Sequence, residues 1–158
     1  MEHVTKKRTT AKERAANEST KPPFALEGID HILLLVNGMK PAVQFYTDVL
    51  GCTVEGALPQ YGMLQLRAGA ALIDLVDISA PEAGWATPPV AGGRNLDHLC
   101  LALGEHDEAK LRQHLARHQV EIIEEGVHGG SRGESLSLYV RDPSGNVIEL
   151  KGPPPLGA

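Results

Sequence analysis

The 158-residue sequence has few cysteines, few aromatic residues and no long hydrophobic run. Its two cysteines, Cys52 and Cys100, are too few for the disulfide framework of a small secreted protein. We therefore expect reduced thiols and a cytoplasmic location. No apolar segment approaches the roughly 20 residues that a membrane-spanning helix needs, so no association with a membrane is expected.

The sequence also has no excess of basic residues. Fifteen Lys and Arg are set against 20 Asp and Glu, which gives a formal net charge of −5. This balance argues against a protein that binds the nucleic-acid backbone. The first 22 residues are different, since they are basic overall and lack the apolar core of a secretory signal. We expect residues 1–26 to form a basic mobile tail in front of an acidic domain.

Two stretches of the chain share one pattern of predicted elements. In the first, a strand (32–36) precedes a helix (41–50) and three strands (52–55, 61–67 and 71–78). In the second, a strand (96–103) precedes a helix (105–118) and three strands (120–124, 134–141 and 146–151). The order βαβββ–βαβββ predicts one α+β domain. Its predicted limits are 27–152 for the domain, about 28–79 and 95–151 for the two modules, 80–94 for a Pro- and Gly-rich linker, and 153–158 for a C-terminal tail.

The repeat is visible in the residues themselves. Ile29-Asp30-His31 corresponds to Leu96-Asp97-His98, and Leu72-Ile73-Asp74-Leu75 corresponds to Val147-Ile148-Glu149-Leu150. Two imidazoles and two carboxylates are a good donor set for a divalent metal ion. Alternate side chains of a strand share a face, so Asp74 and Asp77 point to opposite faces, and the repeat selects Asp74.

Two further motifs carry a family resemblance. One is Phe45-Tyr46 with Leu50-Gly51 four residues on, and the other is Asp142-Pro143-Ser144-Gly145-Asn146 followed by Val147-Ile148-Glu149. With the two Asp-His pairs, they make residues 28–151 resemble the vicinal oxygen chelate superfamily. That superfamily includes glyoxalase I, methylmalonyl-CoA epimerase, extradiol dioxygenases, fosfomycin-resistance thiol transferases and bleomycin-resistance proteins.

The resemblance implies a fold and a metal site. The fold is two βαβββ modules whose eight strands form an open cup with the helices outside. Carried over residue by residue, the metal ligands are His31, Asp74, His98 and Glu149. Glyoxalase I usually has Glu where this chain has Asp74, whereas dioxygenases and fosfomycin transferases use two His and one carboxylate. The metal is a divalent ion such as nickel, zinc, cobalt, manganese or iron.

The resemblance to glyoxalase I also implies a reaction. Glu149 is the expected catalytic base, with Asp74 as the second choice, in the isomerisation of a thiol–ketoaldehyde adduct to a thioester or in a related epimerisation. The partners implied are a small-molecule substrate, which includes a thiol adduct, and a second copy of the chain in a homodimer. Three alternatives stay open: a fosfomycin-type thiol transferase, an extradiol dioxygenase, and a non-catalytic protein of the bleomycin-resistance type.

Strand parity extends the expected site to its lining. The side chains expected to face the cavity are Leu33, Leu72, Val76, Cys100 and Val147. Ser137 and Tyr139 share a strand face, and the resemblance to fosfomycin-type transferases, whose matching Ser-x-Tyr points into the site, implies that both contact the substrate. Cys100 and, in the loop 128–134, Arg132 are further candidates for substrate contact. Each has a plainer interpretation: hydroxyls in water, a small buried thiol and a solvated loop. Trp85 has two possible roles, ordinary packing or a cover over the cavity.

Overall fold

The computed structural model describes residues 29–87, 90 and 96–155. Strand β1 (His31–Val36) leads through Gly38, whose φ is 96°, into helix α1 (Met39–Gln44), which continues as a π-helical turn (Phe45–Val49). The carboxylate of Asp77 accepts the backbone N–H groups of Gly38 and Met39 at 3.3 and 2.8 Å, which caps the start of this helix.

The first sheet follows the helix. Its remaining strands are β2 (Thr53–Leu58), β3 (Met63–Ala68) and β4 (Ala71–Asp77). The order across the sheet is β1-β4-β3-β2. β1 runs parallel to β4, and the other two pairs are antiparallel. The connection between the parallel strands β1 and β4 runs through the helix, β2 and β3, since a parallel pair requires a long crossover.

The second module repeats this arrangement. Strand β5 (Leu99–Ala102) precedes helix α2 (Glu108–Arg117), whose first turn is capped by the side chain of Asp107. Strands β6 (Glu124–His128), β7 (Ser135–Arg141) and β8 (Val147–Lys151) complete a sheet of order β5-β8-β7-β6. The register also repeats, since Leu33 lies opposite Asp74 and Cys100 lies opposite Glu149. The predicted α+β fold of two βαβββ modules is confirmed.

One face of each sheet packs into a shared core. The buried apolar residues on the strands alternate with the residues predicted for the site, as the period of a strand requires. Those core positions are Leu34, Val36, Ile73, Leu75, Leu138, Val140, Ile148 and Leu150. The opposite faces carry His31, Asp74, His98 and Glu149, and we call them the ligand faces of the first and second sheets.

The family motifs connect the two modules. Tyr46 is fully buried, and its hydroxyl donates to the Asp142 carboxylate at 3.0 Å. That carboxylate also accepts the backbone N–H groups of Ser144 and Asn146 and the side-chain amide of Asn146. Burial, reinforced by the charge of Asp142, raises the pKa of Tyr46. The two motifs thus hold the first helix against the turn between β7 and β8.

Some predicted boundaries differ from the structure. The strand expected at 120–124 begins only at Glu124, because Gln119 takes a positive φ of 59° and Val120 donates back to Leu115, which ends helix α2. The strand expected at 96–103 covers only Leu99–Ala102. The N-terminal tail, residues 88, 89 and 91–95 of the linker and residues 156–158 lie outside the described residues. Among the described helices, none is long and apolar enough to cross a membrane.

Candidate functional site

His98 and Glu149 form a close pair on the second sheet. His98 lies just before β5, and its Nε2 is 3.1 Å from Oε2 of Glu149. Its other nitrogen, Nδ1, is 2.9 Å from a carboxylate oxygen of Asp97. When Nδ1 donates to Asp97, a neutral imidazole directs the lone pair of Nε2 at a carboxylate oxygen. Two such acceptors are stable at this distance only with a proton or a metal cation between them.

The first sheet carries His31 and Asp74 at the equivalent positions, where Asp74 acts on His31 through its charge. Nδ1 of His31 is 2.6 Å from a carboxylate oxygen of Asp30. The hydrogen bond to Asp30 raises the pKa of His31, partly opposed by desolvation and supported by the charge of Asp74. Asp74 is 3 % exposed, and its carboxylate accepts the amide of Gln65 at 3.1 Å. The duplicated Asp-His sequence thus orients both histidines in the same way.

Glu149 is held as a carboxylate. Burial raises its pKa, but hydrogen bonds from Ser137, Cys100 and Tyr139, together with the nearby His98, outweigh burial and leave the pKa below its usual value. The bond from Ser137 Oγ is 2.6 Å long. Partial desolvation and the hydrogen bond to Glu149 raise the pKa of the Cys100 thiol to about 11, although the residue itself is exposed, so the thiol stays protonated and donates. An ionised carboxylate held by these donors is suited to coordinate a metal ion. Its pKa, and with it its strength as a base, rises only when some of these hydrogen bonds break.

Tyr139 stands at the centre of this face. Its ring packs edge-to-face against the rings of His98 and His128, at centroid distances of 5.5 and 5.7 Å. The sequence did not indicate His128, because the strand that carries it was expected four residues earlier in the chain. With β6 at its observed position, parity places His128 opposite Ser135 on the ligand face. Its buried Nε2 has no hydrogen-bond partner among the described residues.

Arg132 lies at the far end of the same sheet. Its guanidinium donates to the main-chain oxygens of Leu103, Lys151 and Gly152 at 2.9, 3.1 and 3.3 Å. The buried Lys151 ammonium donates to the main-chain oxygens of His128 and Ser135. Both cations therefore fasten the β6–β7 loop to the sheet, and the role of Arg132 in substrate binding stays a prediction.

The four predicted metal ligands fall into two pairs, one on each sheet. Within residues 29–87, 90 and 96–155, no group of three or more His, Cys, Asp or Glu side chains is arranged to hold a metal ion. Each module supplies one imidazole and one carboxylate. The assignment of all four residues to a single site stays a prediction, because it needs the two ligand faces to be brought together.

A cavity of about 550 Å³ lies elsewhere, between the two modules. Its lining is mainly aliphatic and includes Ile32 and Ile73 from the first module and Leu111 and Leu115 from the second. None of the four predicted ligands lines it, although Leu72 and Cys100, which were expected to face the site, do. A cavity with this lining offers little to stabilise a developing charge, so we place the functional site on the ligand faces.

Comparison with known proteins identifies the family of the chain. Residues 28–150 match the model of the Glyoxalase/Bleomycin resistance protein/Dioxygenase superfamily. The chain is 32% identical over 131 residues to the glyoxalase domain-containing protein RDO1 of Mycosarcoma maydis, covering 80% of this chain and 69% of that protein. It is 28% identical over 128 residues to the glutathione transferase FosA of Serratia marcescens, covering 79% and 80%.

A solved structure confirms the fold. The crystal structure of virulence protein STM3117 from Salmonella typhimurium superposes with a TM-score of 0.63 at 24% identity, covering 83% of this chain and 100% of that one. At this identity the likeness concerns the fold alone. The family model, which spans most of the chain, concerns its membership: the chain belongs to the Glyoxalase/Bleomycin resistance protein/Dioxygenase superfamily.

Proposed function

We propose that this protein is a divalent-metal-dependent lyase or isomerase of the glyoxalase I type, acting on a small substrate with two neighbouring oxygens. The observation that carries the proposal is the His98–Glu149 pair, in which Nε2 of the imidazole lies 3.1 Å from Oε2 of the carboxylate. The same residue types recur at the equivalent positions of the first sheet, His31 and Asp74. The occurrence of an imidazole and a carboxylate in both modules favours a common role in cation binding over four unrelated roles.

The donor set suits a borderline metal ion. Imidazole and carboxylate together accept nickel, zinc, cobalt, manganese or iron. The residues that would hold the ion are His31, Asp74, His98 and Glu149, with Asp30 and Asp97 orienting the two imidazoles. When bound, the ion would supply Lewis-acid stabilisation of negative charge on the substrate oxygens, worth several kcal/mol.

We further propose a homodimer in which the first ligand face of one copy meets the second ligand face of the other. Each described module presents only two donors, which is fewer than a catalytic metal site requires. A symmetric pair of chains would complete two identical sites, because a two-fold axis brings each face to its complement twice. This assembly supplies four donors to each site without any change in the fold of the chain.

The proton transfer would rest on Glu149. In the isomerisation, its carboxylate takes the proton from the carbon next to the substrate carbonyl and returns it to the neighbouring carbon, so atoms and electrons balance without an outside oxidant. Ser137, Cys100 and Tyr139 hold the carboxylate in place through their hydrogen bonds. As substrate enters and these donors turn to its oxygens, the basicity of Glu149 increases.

The proposal is tested by metal content and turnover. Elemental mass spectrometry of the purified full chain should give about one nickel, cobalt or zinc ion per chain, and methylglyoxal with a thiol should be turned over. Glu149→Gln should lower kcat by about 10²-fold or more, since a general base contributes that much. Glu121→Gln is the matched control, because Glu121 is an exposed acid outside the strands of the second sheet. Full turnover by Glu149→Gln would refute the base assignment.

A second candidate is a thiol transferase acting on an epoxide, as the relative FosA is named a glutathione transferase. One contact favours it: Asp74 is engaged by Gln65, which leaves His31, His98 and Glu149 as a two-His, one-carboxylate set. Manganese as the bound metal, with consumption of fosfomycin in the presence of a thiol, would select this function over the isomerase.

A further inference from the structure

We propose that the ligand face of the first sheet binds an apolar, uncharged body of the substrate, with the exposed aromatic pair Tyr61 and Trp85 at its rim. The substrate class is then a chelating head group joined to an aliphatic or aromatic tail. This inference rests on the proposed function, because the head group is taken to bind where the two ligand faces meet.

The two modules allow a direct comparison of equivalent positions. Opposite the acid in each module lies Leu33 in the first sheet and Cys100 in the second. Two residues after the acid, Val76 on β4 pairs with Met63 in the first sheet, whereas Lys151 on β8 pairs with Ser137 in the second. Because the backbone arrangement is the same, the fold does not dictate this difference. The first face is apolar where the second is polar.

Several of these apolar side chains are incompletely covered. Leu33 is 36 % exposed, and Leu35, Met63 and Leu72 are half-buried. Leu33 and Leu35 alternate with the core residues of β1 as His31 does, Leu72 shares the face of Asp74 on β4, and Met63 pairs with Val76 of that face. All four therefore lie on the face that carries the first pair of predicted ligands. Apolar surface beside a polar centre is the usual composition of a small-molecule site, where apolar contacts supply affinity and a few polar groups fix orientation.

The aromatic pair stands at one end of the first sheet, in the turns before β3 and after β4. Tyr61 is 48 % and Trp85 is 52 % exposed, with ring centroids 6.3 Å apart in an edge-to-face arrangement. Trp85 Nε1 donates to the main-chain oxygen of Tyr61 at 3.2 Å, which fixes the indole while its ring stays open to solvent. Tyr61 comes two residues before Met63, which forms the first pair of β3 with β4, opposite Val76. Two large rings held in this way provide contact area at low entropic cost.

The charges on this face exclude an anionic tail. Arg67, which shares the parity of Met63 and Gln65, is engaged by both carboxylate oxygens of Glu55 at 2.9 and 3.2 Å. His31 is paired with Asp30. The buried Asp74 carboxylate adds negative charge next to the leucines. An uncharged tail is therefore favoured over a carboxylate or a phosphate at this position.

A series of hydroxamates tests the inference on the full-length, metal-loaded protein. Hydroxamates offer two neighbouring oxygens, and the probes are the acetyl, butanoyl, hexanoyl and octanoyl compounds with a hexanoyl analogue that ends in a carboxylate. Affinity is measured by calorimetry and by the emission of Trp85, the only tryptophan. We expect Kd to fall about threefold to fourfold per added methylene. The carboxylate-ended probe should bind about tenfold more weakly than its uncharged counterpart.

Two variants separate the tail from the head group. Trp85→Ala should leave the affinity for acetohydroxamate unchanged and weaken octanohydroxamate about tenfold, because only the longer probe reaches the rim. Trp85→Phe should retain most of the affinity. The exposed position of Trp85 makes both variants compatible with the fold, which a thermal melt verifies.

The outcomes distinguish the two proposals. If acetohydroxamate binds but affinity is independent of chain length, the inference is overturned while the metal site stands. If no metal binds, the proposed function fails, and the face is tested in the metal-free protein with alkan-1-ols from butanol to octanol. A saturable change in Trp85 emission that strengthens with chain length supports the apolar face, and its absence overturns it. Conversion of a dimer to a monomer by Trp85→Ala would show that Trp85 packs against the other copy instead of the substrate tail, and it would overturn the inference.

Discussion

Tyr46→Phe probes the contact that joins the two modules. The hydroxyl of Tyr46 is fully buried and donates at 3.0 Å to a carboxylate, Asp142, that is itself 4 % exposed. A hydrogen bond to a charged group contributes about 1.5–3 kcal/mol to stability. Asp142 keeps its bonds from Ser144 and Asn146 after the substitution, so the loss belongs at the lower end of that range. We expect about 1.5–2 kcal/mol of destabilisation, because the ring still fills its place in the core.

The assay is urea unfolding followed by circular dichroism, with the slope of the transition compared between variants. Tyr61→Phe is the matched control, since Tyr61 is exposed and its substitution should change the free energy of unfolding by less than about 0.5 kcal/mol. Equal effects of the two substitutions would refute the role we assign to Tyr46. A larger loss with an altered slope would mean that the modules separate before they unfold.

Three further predictions follow from the titrating groups of the site. Folding lowers the pKa of Glu149, so its contribution to stability is present above its unfolded pKa of about 4.3 and is lost as the pH falls through the folded value. Glu149→Gln should therefore flatten the dependence of the unfolding free energy on pH between about pH 5 and pH 3. An unchanged pH dependence would contradict the direction of the shift. Asp30→Asn should return the raised pKa of His31 towards about 6.5, followed by the imidazole proton signals in nuclear magnetic resonance, whereas a constant titration midpoint would show that Asp30 does not hold the ring. The Cys100 thiol should alkylate slowly at neutral pH, with a rate that rises to a midpoint near a pKa of about 11, and a midpoint near 8.5 would mean that neither desolvation nor the hydrogen bond to Glu149 raises its pKa.

Much of the fold could be predicted because the chain states its pattern twice. The Asp-His pairs and the acid-Leu pairs mark the same strands in both modules, so each ambiguous segment had a counterpart to compare. His98 and Glu149 were singled out by that repetition, and they lie 3.1 Å apart. Parity predicted that Ser137 and Tyr139 share one strand face, and the structure shows that this is the face on which both donate to Glu149.

Other features could not be predicted from the residues alone. The apolar run around Val120 is typical of a strand, yet its residues pack as a connection after helix α2, because the left-handed backbone of Gln119 redirects the chain. The prediction therefore placed β6 four residues too early, and His128 was not predicted to lie on a strand of the second sheet. The separation of the four ligands into two pairs depends on how whole sheets are arranged, and no local pattern of residues encodes that arrangement.

Complementation between two variants tests the central claim most directly. One variant carries His31→Ala and Asp74→Ala, and the other carries His98→Ala and Glu149→Ala. Each alone should bind no metal by calorimetry. After unfolding and refolding together, half of the dimers should be mixed and each should hold one intact site, so the mixture should bind about a quarter of an ion per chain. Full metal binding by either variant alone, or no recovery in a mixture that sedimentation shows to be dimeric, would contradict a metal site shared between two copies.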